Sequence, residues 1–258
     1  MVKNGKIVNK MDKCKRSYYM SENKKMFKKA KRINMREYII KRIVIAIIFL
    51  LFLLTFSFLI LSLAFSGGGF SITLDPGLAQ EGGIIMYENL ETKDSKLRLQ
   101  AKELEYMDNI SINWLPQDID EREGGSHNGT NYIAHTFYLE NTSSNAIEYW
   151  YEVQFERVTR NVDEALRIMI IKNGERTVYA KVNSVTGEPE PNTTEFFQEK
   201  TPVLEIRENF KPGDIDKITL VVWIEGDDPD CVDSIIGGEA KMHMKITQGS
   251  IEQDERNQ

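Results

Sequence analysis

From Ile43 to Phe65 the chain reads IVIAIIFLLFLLTFSFLILSLAF, with only Thr55, Ser57 and Ser62 interrupting the apolar residues and no charge among them. At a rise of ~1.5 Å per residue this run predicts a helix of ~35 Å, enough to cross a hydrocarbon core of ~30 Å with some tilt. A helix that is apolar on every face would otherwise need a much larger soluble protein around it. Residues 43–65 are therefore expected to form one transmembrane helix.

Beyond Ser66-Gly-Gly-Gly69, which reads as a hinge, the period of the pattern changes to two. Ile147, Tyr149, Tyr151, Val153 and Phe155 alternate with Glu148, Trp150, Glu152, Gln154 and Glu156, which sets one row against a core and the other outward. The same alternation runs through Ile218, Leu220, Val222 and Ile224, and through Ala240, Met242, Met244 and Ile246, the latter with Lys241, His243 and Lys245 outward. Further strands are predicted at Ser71–Asp75, Ile84–Tyr87, Leu97–Ala101, Ile110–Trp114, Tyr132–Glu140, Leu166–Ile171 and Thr177–Val182. Turn residues separate them, among them Asp75-Pro-Gly77, Gly124–Gly129, Asn173-Gly174 and Lys211-Pro-Gly213. Residues 97–107 fit helical spacing almost as well as alternation, and 188–200, with Pro189 and Pro191, reads as an irregular loop. Many short strands and few helices predict an all-β sandwich over residues 70–247, jelly-roll or immunoglobulin-like, followed by a disordered polar tail at 248–258.

Charge adds a direction. Residues 1–42 carry 15 Lys and Arg against 3 Asp and Glu, whereas the rest carries 18 against 36, so the overall −6 hides a basic head and an acidic body. Lys41 and Arg42 abut the apolar run and no basic residue follows it closely, which places residues 1–42 in the cytoplasm and the β domain outside the cell membrane. Ala64-Phe65-Ser66 resembles a small-x-small cleavage site, but the apolar run exceeds the ~7–15 residues of a secretory signal and lies far from Met1. An uncleaved signal anchor is expected. The stretch KKMFKKAKR within the basic residues 24–42 is able to hold anionic lipid of the inner leaflet, or to act only as a topology determinant. No fold accompanies these charges that would make them a nucleic-acid site.

Cys14 and Cys231 fall on opposite sides of the membrane in this topology, so the external domain is not built on disulfides, and Cys231 is expected to be a half-buried free thiol. Asn109, Asn128, Asn141 and Asn192 each begin an Asn-x-Ser/Thr triplet. The segments HTFYLENTSSNAIEY (135–149) and ITLVVWIEGDDPDCVDSIIGGEAKMHMKIT (218–247), behind a membrane-crossing N-terminus, resemble exported β-sandwich proteins of Gram-positive bacteria, distantly the camelysin-like biofilm-matrix and spore-coat class. That resemblance implies a jelly-roll module assembling on the cell surface by strand donation. The long basic N-terminal extension departs from the pattern.

The densest candidate chemistry is Glu225, Asp227, Asp228, Asp230 and Asp233, crowded into one loop. Hard oxygen ligands at this density are able to wrap Ca²⁺, although the spacing does not follow the D-x-[DN]-x-[DN]-G loop; the alternative is a solvated acidic turn at Asp228-Pro229. Of three histidines, His127 lies in a Gly-rich loop, His243 faces outward, and His135 shares parity with Phe137 and Leu139 and is expected to be a satisfied core or rim residue. None of the spacings suits zinc. No G-x-S-x-G, P-loop or dinucleotide fingerprint occurs. Outward Trp150, with Trp223, offers an aromatic platform for sugar or protein, while Trp223 is alternatively core in a sheet buried on both faces. The sequence thus predicts a non-enzymatic surface module without a resident cofactor, acting by protein contact or self-assembly, with a carbohydrate-binding or carbohydrate-hydrolysing sandwich as the alternative.

Overall fold

The computed structural model describes Met20, residues 23–26, 28–29, 38–60 and 70–248. Cys14, most of the basic segment, the last residues of the predicted span, the hinge at 66–69 and the tail from 249 lie outside the described residues. The chain divides into two compact units, Met1–Gly67 and Gly68–Gln258.

In the first unit one apolar helix, α1 (Tyr38–Ile60), is long enough to cross a membrane. Its described residues begin at Tyr38, five positions before the predicted span, and the Arg42 guanidinium lies 4.9 Å from the Tyr38 ring one turn back. All its side chains are exposed. Thr55 Oγ1 donates back to the Leu51 and Phe52 carbonyls at 3.0 and 2.9 Å, so the helix satisfies this hydroxyl without water.

The second unit is two open sheets sharing one core, the arrangement of a sandwich. In the first sheet the order is β10 (Val203–Phe210), β6 (Ile147–Val158), β12 (Ala240–Thr247), β1 (Ser71–Leu74), β3 (Arg98–Gln100), with only β1 and β12 parallel. The second runs β2 (Ile84–Tyr87), β5 (Ile133–Asn141), β11 (Ile215–Ile224), β7 (Leu166–Lys172), β8 (Glu175–Ala180), β9 (Thr194–Glu195), with β4 (Gly125–Ser126) also on β5. The alternation at 147–155 does what it predicts: Tyr149, Tyr151 and Val153 pack with Met242, Met244 and Ile246 against Phe137, Leu139, Ile170 and Leu220 of the facing sheet. Burying these rows is the main force holding the sheets together.

A second, smaller core lies on the other side of the second sheet. Ile110, Ile119, Met169, Ile171, Val221 and Trp223 pack there, because the chain from Ile110 to Ile119 folds back over that face. This explains why β7 is buried along both rows and why Trp223, outward by parity, is fully buried.

Several elements differ from expectation, among them short β4 and β9, which lie in the expected turn at 124–129 and the expected loop at 188–200. Ile110–Trp114 is not a strand: Ile110 makes a single bridge to Glu225, after which Ser111 caps a 3-10 turn at Ile112–Trp114. Asp75-Pro-Gly77 is not a free turn but the start of α2 (Pro76–Gln80), with Asp75 Oδ1 accepting from the Leu78 N–H at 3.0 Å and Pro76 in the first turn. Strand β10 is absent from the alternation reading, since its inward row contains Glu205 and Arg207 and its register shifts between Arg207 and Phe210.

Candidate functional site

The acidic loop follows β11, and its carboxylates diverge. Asp228, 5% exposed, receives the guanidinium of buried Arg167, with Glu190 3.7 Å from the same group. Glu225 accepts from Trp223 Nε1 and from the Ile112 N–H, each at 3.0 Å. Asp227 accepts from Ser111 Oγ at 2.6 Å, and Asp230 from the Ser184 N–H at 2.8 Å. Asp233 is exposed at the start of a 3-10 turn. Four of the five carboxylates therefore pin the loop to β7, to the 110–119 flap and to the 181–193 segment, with Glu225 and Asp228 buried and Asp227 and Asp233 exposed. Among the described residues no group of three His, Cys, Asp or Glu side chains is placed to hold a metal ion.

Trp150 stands half-buried on the outer face of the first sheet, opposite Ile206 of β10 and Thr247 of β12. Leu204, two residues along β10, shares that face. The paired aromatic platform does not form, because Trp223 is in the second core with its N–H spent on Glu225. Beside Trp150, β10 is an edge: it pairs with β6 on one side and with no strand on the other among the described residues. Its inward Glu205 accepts from Tyr179 of the facing sheet at 2.9 Å, and Arg207 Nε donates to Asp216 at 3.0 Å, beside Tyr149, which donates to the same carboxylate at 2.6 Å. Inward charges and a register shift are the devices by which natural edges avoid indiscriminate stacking.

His135 is fully buried and sits in a chain of polar groups that spacing did not reveal. Ser126 Oγ lies 2.9 Å from its Nδ1, and Glu88 Oε1 is 3.3 Å from its Nε2, with Lys96 holding the other Glu88 oxygen at 2.9 Å. Ser126 Oγ also accepts the Lys102 N–H at 2.7 Å, while His135 Nε2, though 3.3 Å from Glu88 Oε1, makes no hydrogen bond. Burial lowers the His135 pKa to about 4 against the raising effect of Glu88, so the ring is neutral at physiological pH. The group ties β2, β4 and β5 together. The serine, histidine and carboxylate stand in the order of a nucleophile relay, with the serine oxygen also engaged by a backbone donor.

At the opposite end of these strands from Asn141 the two sheets part. A pocket of about 770 Å³ opens between Phe70 and Met242 of the first sheet and Ile133, Leu166 and Val222 of the second. Loops 103–109 and 231–239 form its rim, and the free thiol of Cys231, half-buried as expected, accepts there from Asn109 Nδ2 at 3.1 Å. No sequence motif marks this pocket, since the ends of six strands far apart in the chain build it.

No family model matches the chain, and no curated protein does. Two solved structures of a β-glucosidase from Kluyveromyces marxianus align with 67% of this chain at 14% and 11% identity, one in complex with glucose and one labelled with selenomethionine. The TM-scores are 0.25 and 0.23, and the alignments cover 16% and 17% of those chains. The chain thus spans about a sixth of the length of those enzymes, and a likeness of this degree carries no argument about fold or activity.

Proposed function

We propose that the protein is a single-pass membrane protein with its N-terminus in the cytoplasm and a non-catalytic extracellular β-sandwich that acts by binding another protein. The edge of β10 is the observation that carries this reading. It offers eight residues of strand with one open side, next to an apolar strip made by Trp150, Leu204 and Ile206. A partner adding a strand there gains main-chain hydrogen bonds, and side-chain contact with the strip gives selectivity. Glu205, Arg207 and the register shift favour a partner shaped to this edge over uncontrolled stacking. A second copy donating a strand, as the likeness to exported jelly-roll proteins of Gram-positive bacteria implies, is one form of this contact, and an envelope protein is the other. The basic residues 24–42 would meanwhile contact anionic lipid of the inner leaflet.

The test is site-specific photo-crosslinking in cells, with the photoreactive residue at Ile206 and, as a control, at Val185, which is 88% exposed on a distant loop. The reading expects discrete adducts from position 206, lost when Leu204 is changed to Lys, and none from 185. Equal adducts from both positions, or none from 206, would refute it.

A further inference from the structure

Protein contact at β10 leaves the end pocket unexplained. We propose that it holds one acyl chain of an amine-headed membrane phospholipid. This rests on the membrane attachment in the reading above, but not on the β10 contact.

Three observations carry it. Its volume of about 770 Å³ lies in the ~300–1,000 Å³ range of small-molecule sites, and its inner walls are aliphatic and aromatic. Three apolar side chains stand exposed at its mouth: Tyr106, Val232 and Ile236 are 75%, 51% and 64% exposed. Strand β1 also begins at this end, so Phe70, ten positions after Ile60 in sequence, forms part of the wall.

The rim selects the head group. Glu103, Glu105, Asp108, Asp233 and Glu239 line it against only Arg157 and Lys241. Both cations are already engaged, Arg157 3.8 Å from Glu239 and Lys241 2.9 Å from Glu156. The excess of carboxylate repels an anionic head and attracts an ammonium, while the aliphatic chain enters between the sheets. Ala240 sits in the wall at the start of β12, where a larger side chain would fill the space the chain needs.

The full-length protein is reconstituted into phosphatidylcholine vesicles doped with phosphatidylethanolamine bearing a diazirine at the end of one acyl chain. After photolysis, adducts are mapped by peptide mass spectrometry. Adducts on α1 report membrane insertion in every sample and separate failure of the anchor from failure of the pocket. The proposal expects additional adducts on peptides containing Phe70, Leu166 or Val222, at least fivefold stronger than with a matched phosphatidylglycerol probe. Ala240→Trp should remove them while leaving those on α1. The surface pair Glu105→Lys with Asp108→Lys, which leaves the core untouched, should erase the head-group preference. Adducts confined to α1, or pocket adducts indifferent to both the head group and Ala240→Trp, would overturn it.

Discussion

Replacing His135 by Gln tests the polar chain beneath β5 through its proton. The ring is completely buried and its pKa falls to about 4, below the ordinary value of 6.5, because burial disfavours the cation more than Glu88 favours it. The unfolded chain therefore takes up the proton first. The stability contributed by the neutral ring is complete above the unfolded value and is lost as pH falls from about 6.5 towards 4. Between pH 7 and 4.5 the linkage amounts to roughly 2.4 kcal/mol for this one group. His127 and His243 are likewise lowered by burial and add to the acid response of the natural protein, but they remain in the variant. A glutamine still reaches toward Ser126 or Glu88 and does not titrate. The assay is urea unfolding of residues 68–258, a compact unit with its own core, at both pH values. His135→Gln should be less stable than the natural domain at pH 7 by about 1–2 kcal/mol, from lost packing and hydrogen bonding. Its further loss on going to pH 4.5 should be smaller by about 2 kcal/mol. Equal losses in the two proteins would show that His135 is not held neutral by burial, and the account of this cluster would fall.

Other perturbations probe the remaining parts. Arg167→Met should cost about 3–5 kcal/mol in urea unfolding by stranding Asp228 and Glu190, and adding Asp228→Leu should recover a large part of it; a loss under about 1 kcal/mol would mean the Arg167–Asp228 pair is not dry. Gly124→Ala should destabilise the domain and lower its melting temperature, since the new Cβ would lie 1.6 Å from the Glu88 carbonyl oxygen; an unchanged melting temperature would contradict the close approach of β4 to the end of β2. With Asp228 committed to Arg167 and its neighbours to other donors, millimolar Ca²⁺ should move the melting temperature by no more than about a degree; a rise of several degrees would show that the loop rearranges to bind the ion.

The parts of this protein visible in its sequence are those whose physics is local. The uninterrupted apolar run of α1 and the alternation through Tyr149, Tyr151 and Val153 need no distant partner to be read. Strand β10 escaped because Glu205 and Arg207 occupy its inward row, each satisfied by a residue on another strand: Tyr179 and Asp216. Trp223 was ambiguous for a related reason, since only the fold-back of Ile110–Ile119 decides whether its face meets water. In the acidic loop, composition offered either a bound cation or a solvated turn, whereas the positive partner is Arg167, 61 positions earlier. The end pocket leaves no periodic trace, because what forms it is the parting of strand ends.

The proposed extracellular role depends most on the direction in which the chain crosses the membrane. Val185→Cys, in a Cys231→Ser background, places an exposed thiol on the β domain, while natural Cys14 reports on the basic segment. A membrane-impermeant maleimide applied to intact cells should label position 185 at once and Cys14 only after permeabilisation. Labelling of Cys14 in intact cells, or of position 185 only after the membrane is breached, would contradict the account.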